Sequence, residues 1–529
     1  MASRTDTWRI GIDVGGTNTD AVLLDETGRL YAQAKTPTTP DVAGGIETVL
    51  GILMADPLYQ ERVGLVMLGT THCTNAIVER RGLLPVAVLR LGAPASTAVP
   101  PLTDWPSDLA AALDPRVAIL PGGAEFDGHE ISPLDEGAVR RFARGLEPGR
   151  AVAVVSIFAP VADAHERRVE AIIRDVVGFP VSVSRSAAIG SIGLLERENA
   201  TVLNAALGAV IATAVDGFTA AVRRLGLRAR TYLTQNDGTL LDLQNARRYP
   251  IFTIASGPTN SLRGAVHLTG LQDAMVIDVG GTTTDVGAVA GGFPRESSTT
   301  VELGGVRTNF RMPDLLSLGL GGGSRLRATG GTISVGPDSV GFELTRRAHV
   351  FGGPEWTASD AAVACGRVAF GSAKRLSGWD PAVPEAALRR TDAMMAEAVE
   401  RMRLRPGPVP VIAVGGGAFL VTDHLPEVTR VHRPAGGEVA NAIGAAMAEV
   451  SGDVDRVYSL TGQSREQVLQ AAETEAVRRA MDAGADPDGI RIVEREDLPL
   501  AYLPGSATRI RVKAVGPLRG LGGADYART

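Results

Sequence analysis

Residues 12–20 read IDVGGTNTD, and residues 277–285 read IDVGGTTTD. Eight of the nine positions are identical, although half the chain separates the two copies. An internal repeat at that distance predicts two related lobes, each opening with strand, Gly turn, strand. The chemistry of the repeat is legible from its residue types. Glycines permit positive φ and remove Cβ atoms, so backbone N–H groups can approach phosphate oxygens closely. In the first copy Gly15 and Gly16 take that role, Thr17 and Thr19 add hydroxyls, and Asp13 offers a carboxylate to Mg²⁺, directly or through water. The second copy repeats the set as Asp278, Gly280, Gly281, Thr282 and Thr283. A third turn, Gly415, Gly416 and Gly417, follows the apolar run Val409–Val414 and suits adenosine. A single GGT is equally a tight turn that needs glycine. Two matched copies and a third turn predict a triphosphate clamped between two lobes.

The text around the repeat alternates strands and helices, which predicts an α/β protein. The first copy opens a three-strand meander with turns at 15–17 and 25–28. An amphipathic helix over 42–54 leads to a strand at 63–68. A helix over 74–80 follows, with Thr71 or Thr74 as its cap. Residues 94–121 are Pro-rich and read as irregular. Residues 194–222 read as one long helix, uncharged in its middle and buried between the lobes. The expected division is a first lobe over 1–190, a second lobe over 191–455 carrying the second hairpin and the adenosine turn, and a small C-terminal segment over 456–529 with a polar, Gly-rich tail.

Composition narrows the class. The 529 residues carry 53 Lys and Arg against 59 Asp and Glu, a formal net charge of −6, which gives no footprint for a polyanion, so nucleic acid is not expected as a partner. Hydrophobic residues are 44% of the chain, which predicts a folded globular protein rather than a disordered one. The two cysteines, Cys73 and Cys365, rule out a disulfide framework and a CxxC-type zinc site. The N-terminal residues have no apolar core of the kind a signal peptide needs. The longest charge-poor span, 199–215, contains two Asn and two Thr and is short for a bilayer. The expectation is a soluble, cytoplasmic protein with no membrane partner.

Further segments resemble one family. LGTTHCTNAIVERRG (68–82), GIDVGGTNTD (11–20), ERENATVLNAAL (196–207), IASGPTNSLRGA (254–265) and MPDLLSLGLGGGS (312–324) are similar, in order, to landmarks of the hydantoinase A/oxoprolinase family. That family includes 5-oxoprolinases, N-methylhydantoinase A subunits and subunits of acetone and acetophenone carboxylases. The resemblance implies two related actin/ribonuclease-H-like lobes with mixed sheets flanked by helices and a nucleotide cleft between them, as in sugar kinases and heat-shock ATPases. It implies ATP and Mg²⁺ as cofactors, Asp13 and Asp278 as metal holders, a small cyclic amide opened by phosphorylation of its carbonyl oxygen, a separate B-type partner subunit, and an oligomer. The other readings are an ATP-dependent carboxylase subunit and a nucleotide-gated activator without small-molecule turnover. The sequence also departs from the family: SGPTNS (256–261) stands where many members have SGPAGG, and Leu315 and Leu316 follow Asp314 where many have a His.

The substrate candidates each carry two readings. Thr70, Thr71 and Asn75, with His72 and Cys73, form either a catalytic and substrate-contacting loop or a capped helix start; His72 and Cys73 are alternatively a metal pair. Gly321, Gly322, Gly323 and Ser324 either offer backbone donors to substrate or form a close-packed turn. Asp20 and Asp285 close the two hairpins as a base, a metal holder or a turn-stabilising residue.

Overall fold

In the computed structural model, which describes residues 7–39, 42–297, 301–329, 332–403, 405–500 and 507–519, both copies of the repeat fold alike. Trp8–Val14 pairs antiparallel with Asn18–Leu24, setting Asp13 opposite Asp20. Ala274–Val279 pairs with Thr284–Ala290, setting Asp278 opposite Asp285. Each turn is closed by the same bond, from Gly15 N to Asn18 O at 3.0 Å and from Gly280 N to Thr283 O at 2.9 Å. The neighbours are duplicated too. Val63–Thr70 lies parallel beside the first hairpin and Val409–Val414 beside the second. For the first copy one long strand, Leu30–Pro37, pairs with Asn18–Leu24, whereas in the second copy Thr284–Ala290 is met by two short strands, the next in sequence, Phe293–Pro294, and the more distant Leu315–Leu318.

Trp8–Val14 is buried along its whole length, which is why it reads as a near-continuous apolar run rather than an alternation. It lies in a nine-stranded sheet. Its order is Arg491–Pro499, Ala507–Gly516, Glu449–Ser459, Thr239–Asp242, Arg230–Thr234, Val63–Thr70, Trp8–Val14, Asn18–Leu24, Leu30–Pro37. The last strands of the chain therefore extend the sheet that the first strands began. The second hairpin lies in a six-stranded sheet, and a separate parallel sheet orders Arg116–Pro121, Val86–Ala93, Ala151–Ser156, Val183–Arg185. The polar tail read from the sequence falls outside the described residues from 520 onward.

Two stretches differ from their sequence reading. The Pro-rich 94–121 holds a short helix, Ser107–Ala112, and the strand Arg116–Pro121, whose apolar residues are masked by flanking prolines. The long helix divides into Leu194–Ala206 and Gly208–Arg224, bent by 48°. Gly208, a weak helix former, starts the second piece. Among the described residues no single helix is long and apolar enough to cross a membrane; this bent pair passes by length and composition alone, and much of it is core.

Helices Ser256–Thr269 and Ala440–Met447 pack on each other between the two main sheets. Their backbones touch. A Cβ on Gly264 would overlap the Ala440 carbonyl, one on Gly444 the Asn260 carbonyl, and one on Gly11 the Ala442 carbonyl. Only glycine fits at such contacts, and the contact sets Asn260 and Asn441 against the first hairpin.

Candidate functional site

A cleft of about 780 Å³ opens between the two hairpins. Its wall contains Asp13, Gly15, Gly16 and Thr17 from the first copy, Asp278, Gly280, Gly281, Thr282 and Thr283 from the second, and the whole third turn, Gly415, Gly416 and Gly417. The two tips face each other: a Cβ on Gly281 would find Thr17 Cγ2 at 3.8 Å. Gly16 and Gly416 leave open backbone, since a Cβ on either would meet nothing within 4 Å.

Thr71, Asn75 and Gly322 also line the cleft, whereas Thr19, Thr70, His72, Cys73, Gly321, Gly323 and Ser324 do not. Thr19 is buried, its hydroxyl 3.3 Å from that of Thr38, which itself donates to Gly15 O at 2.8 Å. Thr70 is buried and its hydroxyl bonds His72 Nδ1. Cys73 is fully buried, and burial pushes its thiol up to about 11. Burial likewise holds His72 below the usual imidazole range. In the 321–324 turn, the amides of Gly322 and Gly323 donate to Gly280 O and Gly281 O at 3.0 and 2.8 Å. Those donors brace the second hairpin from behind.

Five carboxylates line this one cleft: Glu438 and the four hairpin residues Asp13, Asp20, Asp278 and Asp285. Burial, then the neighbouring Asp20 charge, pushes Asp13 up to about 7, while the amides of Asn260 and Asn441 pull it down. Burial pushes Asp278 up to about 6, against a hydrogen bond from Ser261 and with the Asp285 charge. Asp285 is also raised by burial. Such carboxylates are short of positive charge, the condition that a divalent cation relieves.

Residues that no motif signalled complete the site. Asn441 Nδ2 lies 3.1 Å from Asp13 Oδ2 and 3.0 Å from Asp20 Oδ2. Asn260 Nδ2 reaches Asp13 Oδ1 at 3.5 Å and Thr234 Oγ1 at 3.0 Å, and the Ser261 hydroxyl donates to Asp278 Oδ2. Asn260 and Ser261 are two of the positions at which SGPTNS departs from SGPAGG, so the departure itself is their only signal. Leu344, Phe351, Phe370 and Phe419 form an apolar corner of the cleft near the third turn. The Phe351 and Phe370 rings stack at 5.7 Å, and Phe370 meets Phe419 edge-on at 5.5 Å. The buried Ser359 Oγ on the same wall has no protein partner.

This arrangement fits a magnesium nucleotide: open Gly backbone for phosphates, electron-rich carboxylates for the cation, and a flat apolar corner with one unpartnered hydroxyl for a base. Among the described residues no three His, Cys, Asp or Glu side chains gather as a metal-ligand set. Mg²⁺ needs no such cage, being held by one or two carboxylates together with water and phosphate oxygens.

Residues 9–177 match the hydantoinase/oxoprolinase N-terminal region, and residues 197–372 match hydantoinase/oxoprolinase. The chain belongs to the hydantoinase/oxoprolinase family. It is 28% identical over 390 residues to the caprolactamase subunit alpha of Pseudomonas jessenii, covering 69% of this chain and 55% of that protein. It is 27% identical over 396 residues to the acetophenone carboxylase gamma subunit of Aromatoleum aromaticum, covering 68% and 53%. This family member thus spans about half the length of these curated relatives. Its fold is that of the ATP-dependent caprolactamase from Pseudomonas jessenii, with a TM-score of 0.76 at 21% identity over 97% of this chain and 88% of that one. It also matches nucleotide-free acetone carboxylase, with a TM-score of 0.67 at 18% identity over 98% and 88%.

Proposed function

We propose that this chain is the ATP-using component of an enzyme that opens a small cyclic amide. The observation that carries the reading is the duplicated Asp-Val-Gly-Gly-Thr hairpin, whose two copies meet across one cleft in a chain of this family. Asp13 and Asp278 would hold Mg²⁺, the hairpin amides would bind phosphates, and the apolar corner by Gly415–Gly417 would take the base. ATP would supply a phosphoryl group for the amide oxygen, converting a poor leaving group into a good one; an unstrained lactam is otherwise a weak electrophile. The protein contributes position and charge neutralisation, which is most of what phosphoryl transfer requires. Thr71 and Asn75, on the first-lobe wall, face the space left for the substrate, and the Asn75 amide is held by Thr71 Oγ1 at 3.3 Å.

Likeness to the caprolactamase subunit alpha supports the cyclic-amide reading and a separate partner subunit. Likeness to the acetophenone carboxylase gamma subunit favours a second reading, phosphorylation of a ketone's enolate oxygen before carboxylation. The test is ADP release from Mg·ATP by the purified chain, alone and with any co-purifying subunit. 5-Oxoproline, hydantoins and caprolactam are compared with acetone or acetophenone plus bicarbonate. Dependence on a cyclic amide supports the first reading, and dependence on ketone and bicarbonate replaces it with the second.

A further inference from the structure

The two halves of the cleft are nearly symmetric, and the departure from symmetry is informative. In the first lobe Asp20 stands opposite Lys35 on the neighbouring strand; in the second the equivalent Asp285 stands opposite Ser317. Asp20 thereby faces an ammonium, with Lys35 Nζ 2.9 Å from its Oδ1, whereas Asp285 accepts only the Ser317 hydroxyl. Lys35 is the one Lys or Arg among the described residues that line the cleft, against Asp13, Asp20, Asp278, Asp285 and Glu438. Its side chain is 40% exposed and its remaining contact is the Glu438 carbonyl at 3.4 Å, so it is free to swing. The apolar corner built by Phe351, Phe370 and Phe419 belongs to the second lobe. A nucleotide with its base there points its terminal phosphate toward the first lobe, where Lys35, Thr71 and Asn75 stand.

We propose that Lys35 is a catalytic residue that leaves Asp20 to contact the terminal phosphate and neutralise the phosphoryl group in flight. The inference rests on the nucleotide reading above. In the step it serves, the bond from the terminal phosphorus to the bridging oxygen breaks and its electron pair stays on ADP. A new P–O bond forms to the substrate oxygen. Lys35 keeps all its protons and acts only through charge and hydrogen bonds. Asp278 and Asp285, which pair with no Lys or Arg among the described residues that line the cleft, and Asp13 would be the carboxylates left to hold Mg²⁺.

Calorimetric titration of the full chain with Mg·ADP, alone and with aluminium fluoride as a mimic of the transferring phosphoryl group, separates this role from a structural one. Lys35→Met should bind Mg·ADP within about twofold of wild type yet lose on the order of 100-fold for the fluoride complex, the scale of one lost oxyanion donor. Lys35→Arg, which keeps the charge, should recover part of that loss. If Lys35 serves only to neutralise Asp20, the double variant Lys35→Met/Asp20→Asn should restore fluoride-complex affinity; restoration would overturn the proposal, and so would an unaltered affinity in Lys35→Met. Wild-type protein that binds neither ADP nor ATP would instead remove the nucleotide reading beneath it.

Discussion

Replacing Asp13 with Asn should reshape the pH dependence of stability. Asp13 is 4% exposed, and burial pushes its carboxyl up to about 7, against 3.8 for the free side chain. A carboxyl raised on folding binds its proton more tightly in the folded state. Its contribution to stability is therefore fully present below pH 3.8 and is lost as pH rises through about 7. At ~1.4 kcal/mol per pH unit over that window, the loss approaches about 4 kcal/mol. About 3 kcal/mol of that falls between pH 5 and 7, and with an unfolding entropy of ~2 cal/mol/K per residue it is about 2–3 °C in Tm for a chain of this length unfolding as one unit. Thermal melts of ligand-free wild type and Asp13→Asn between pH 5 and 8.5 isolate this contribution from the histidines, which both proteins share. Wild type should lose stability relative to the variant as pH rises. Mg·ATP should remove the deficit in wild type, most strongly above pH 7, because the cation takes the ionised carboxylate. Parallel pH profiles for the two proteins would mean that Asp13 is not raised by its burial.

Asn260→Gly and Ser261→Gly install the residues usual at those positions in the family and remove a donor from Asp13 and Asp278 respectively. Each should raise the Mg²⁺ concentration needed for half-maximal ATP binding about tenfold, from the ~1.5 kcal/mol at the low end for one hydrogen bond to a charged group; an unchanged Mg²⁺ requirement counts against their positioning role. Gly264→Ala should destabilise the fold by about 1–3 kcal/mol or more in denaturant melts, because its methyl would overlap the Ala440 backbone and not a movable side chain. Thiol labelling of native protein should modify Cys365 and spare Cys73, which is fully buried with its thiol raised to about 11; rapid loss of both thiols under native conditions would contradict the packing of helix His72–Glu79.

The two hairpins and the third turn are legible in the amino-acid sequence because each is local: a strand, a turn needing glycine, a strand. The duplication adds that the two hairpins belong to matching lobes. Residues brought in from afar are not legible in the same way. Asn441 reaches Asp13 only because Gly11 and Gly444 let a distant helix approach at backbone distance, and nothing in the text around Asn441 signals a ligand. Lys35 sits on an ordinary exposed strand and gains meaning only from its register opposite Asp20. The return of residues 449–516 to the first sheet is hidden for the same reason, since strand pairing across hundreds of residues leaves no local pattern. The 321–324 turn shows the limit from the other side. Its glycines carry the same signature as a phosphate loop, yet two of its amides brace the second hairpin.

Joint binding of a magnesium nucleotide by the two hairpin aspartates is open to direct measurement. Calorimetric titration of Mg·ATP into the full chain, compared with Asp13→Asn and Asp278→Asn, tests it most directly. Wild type should show one site per chain and a strong dependence on Mg²⁺, and both variants should lose that dependence. Equal, Mg²⁺-dependent binding in all three proteins, or no binding by wild type, would contradict it.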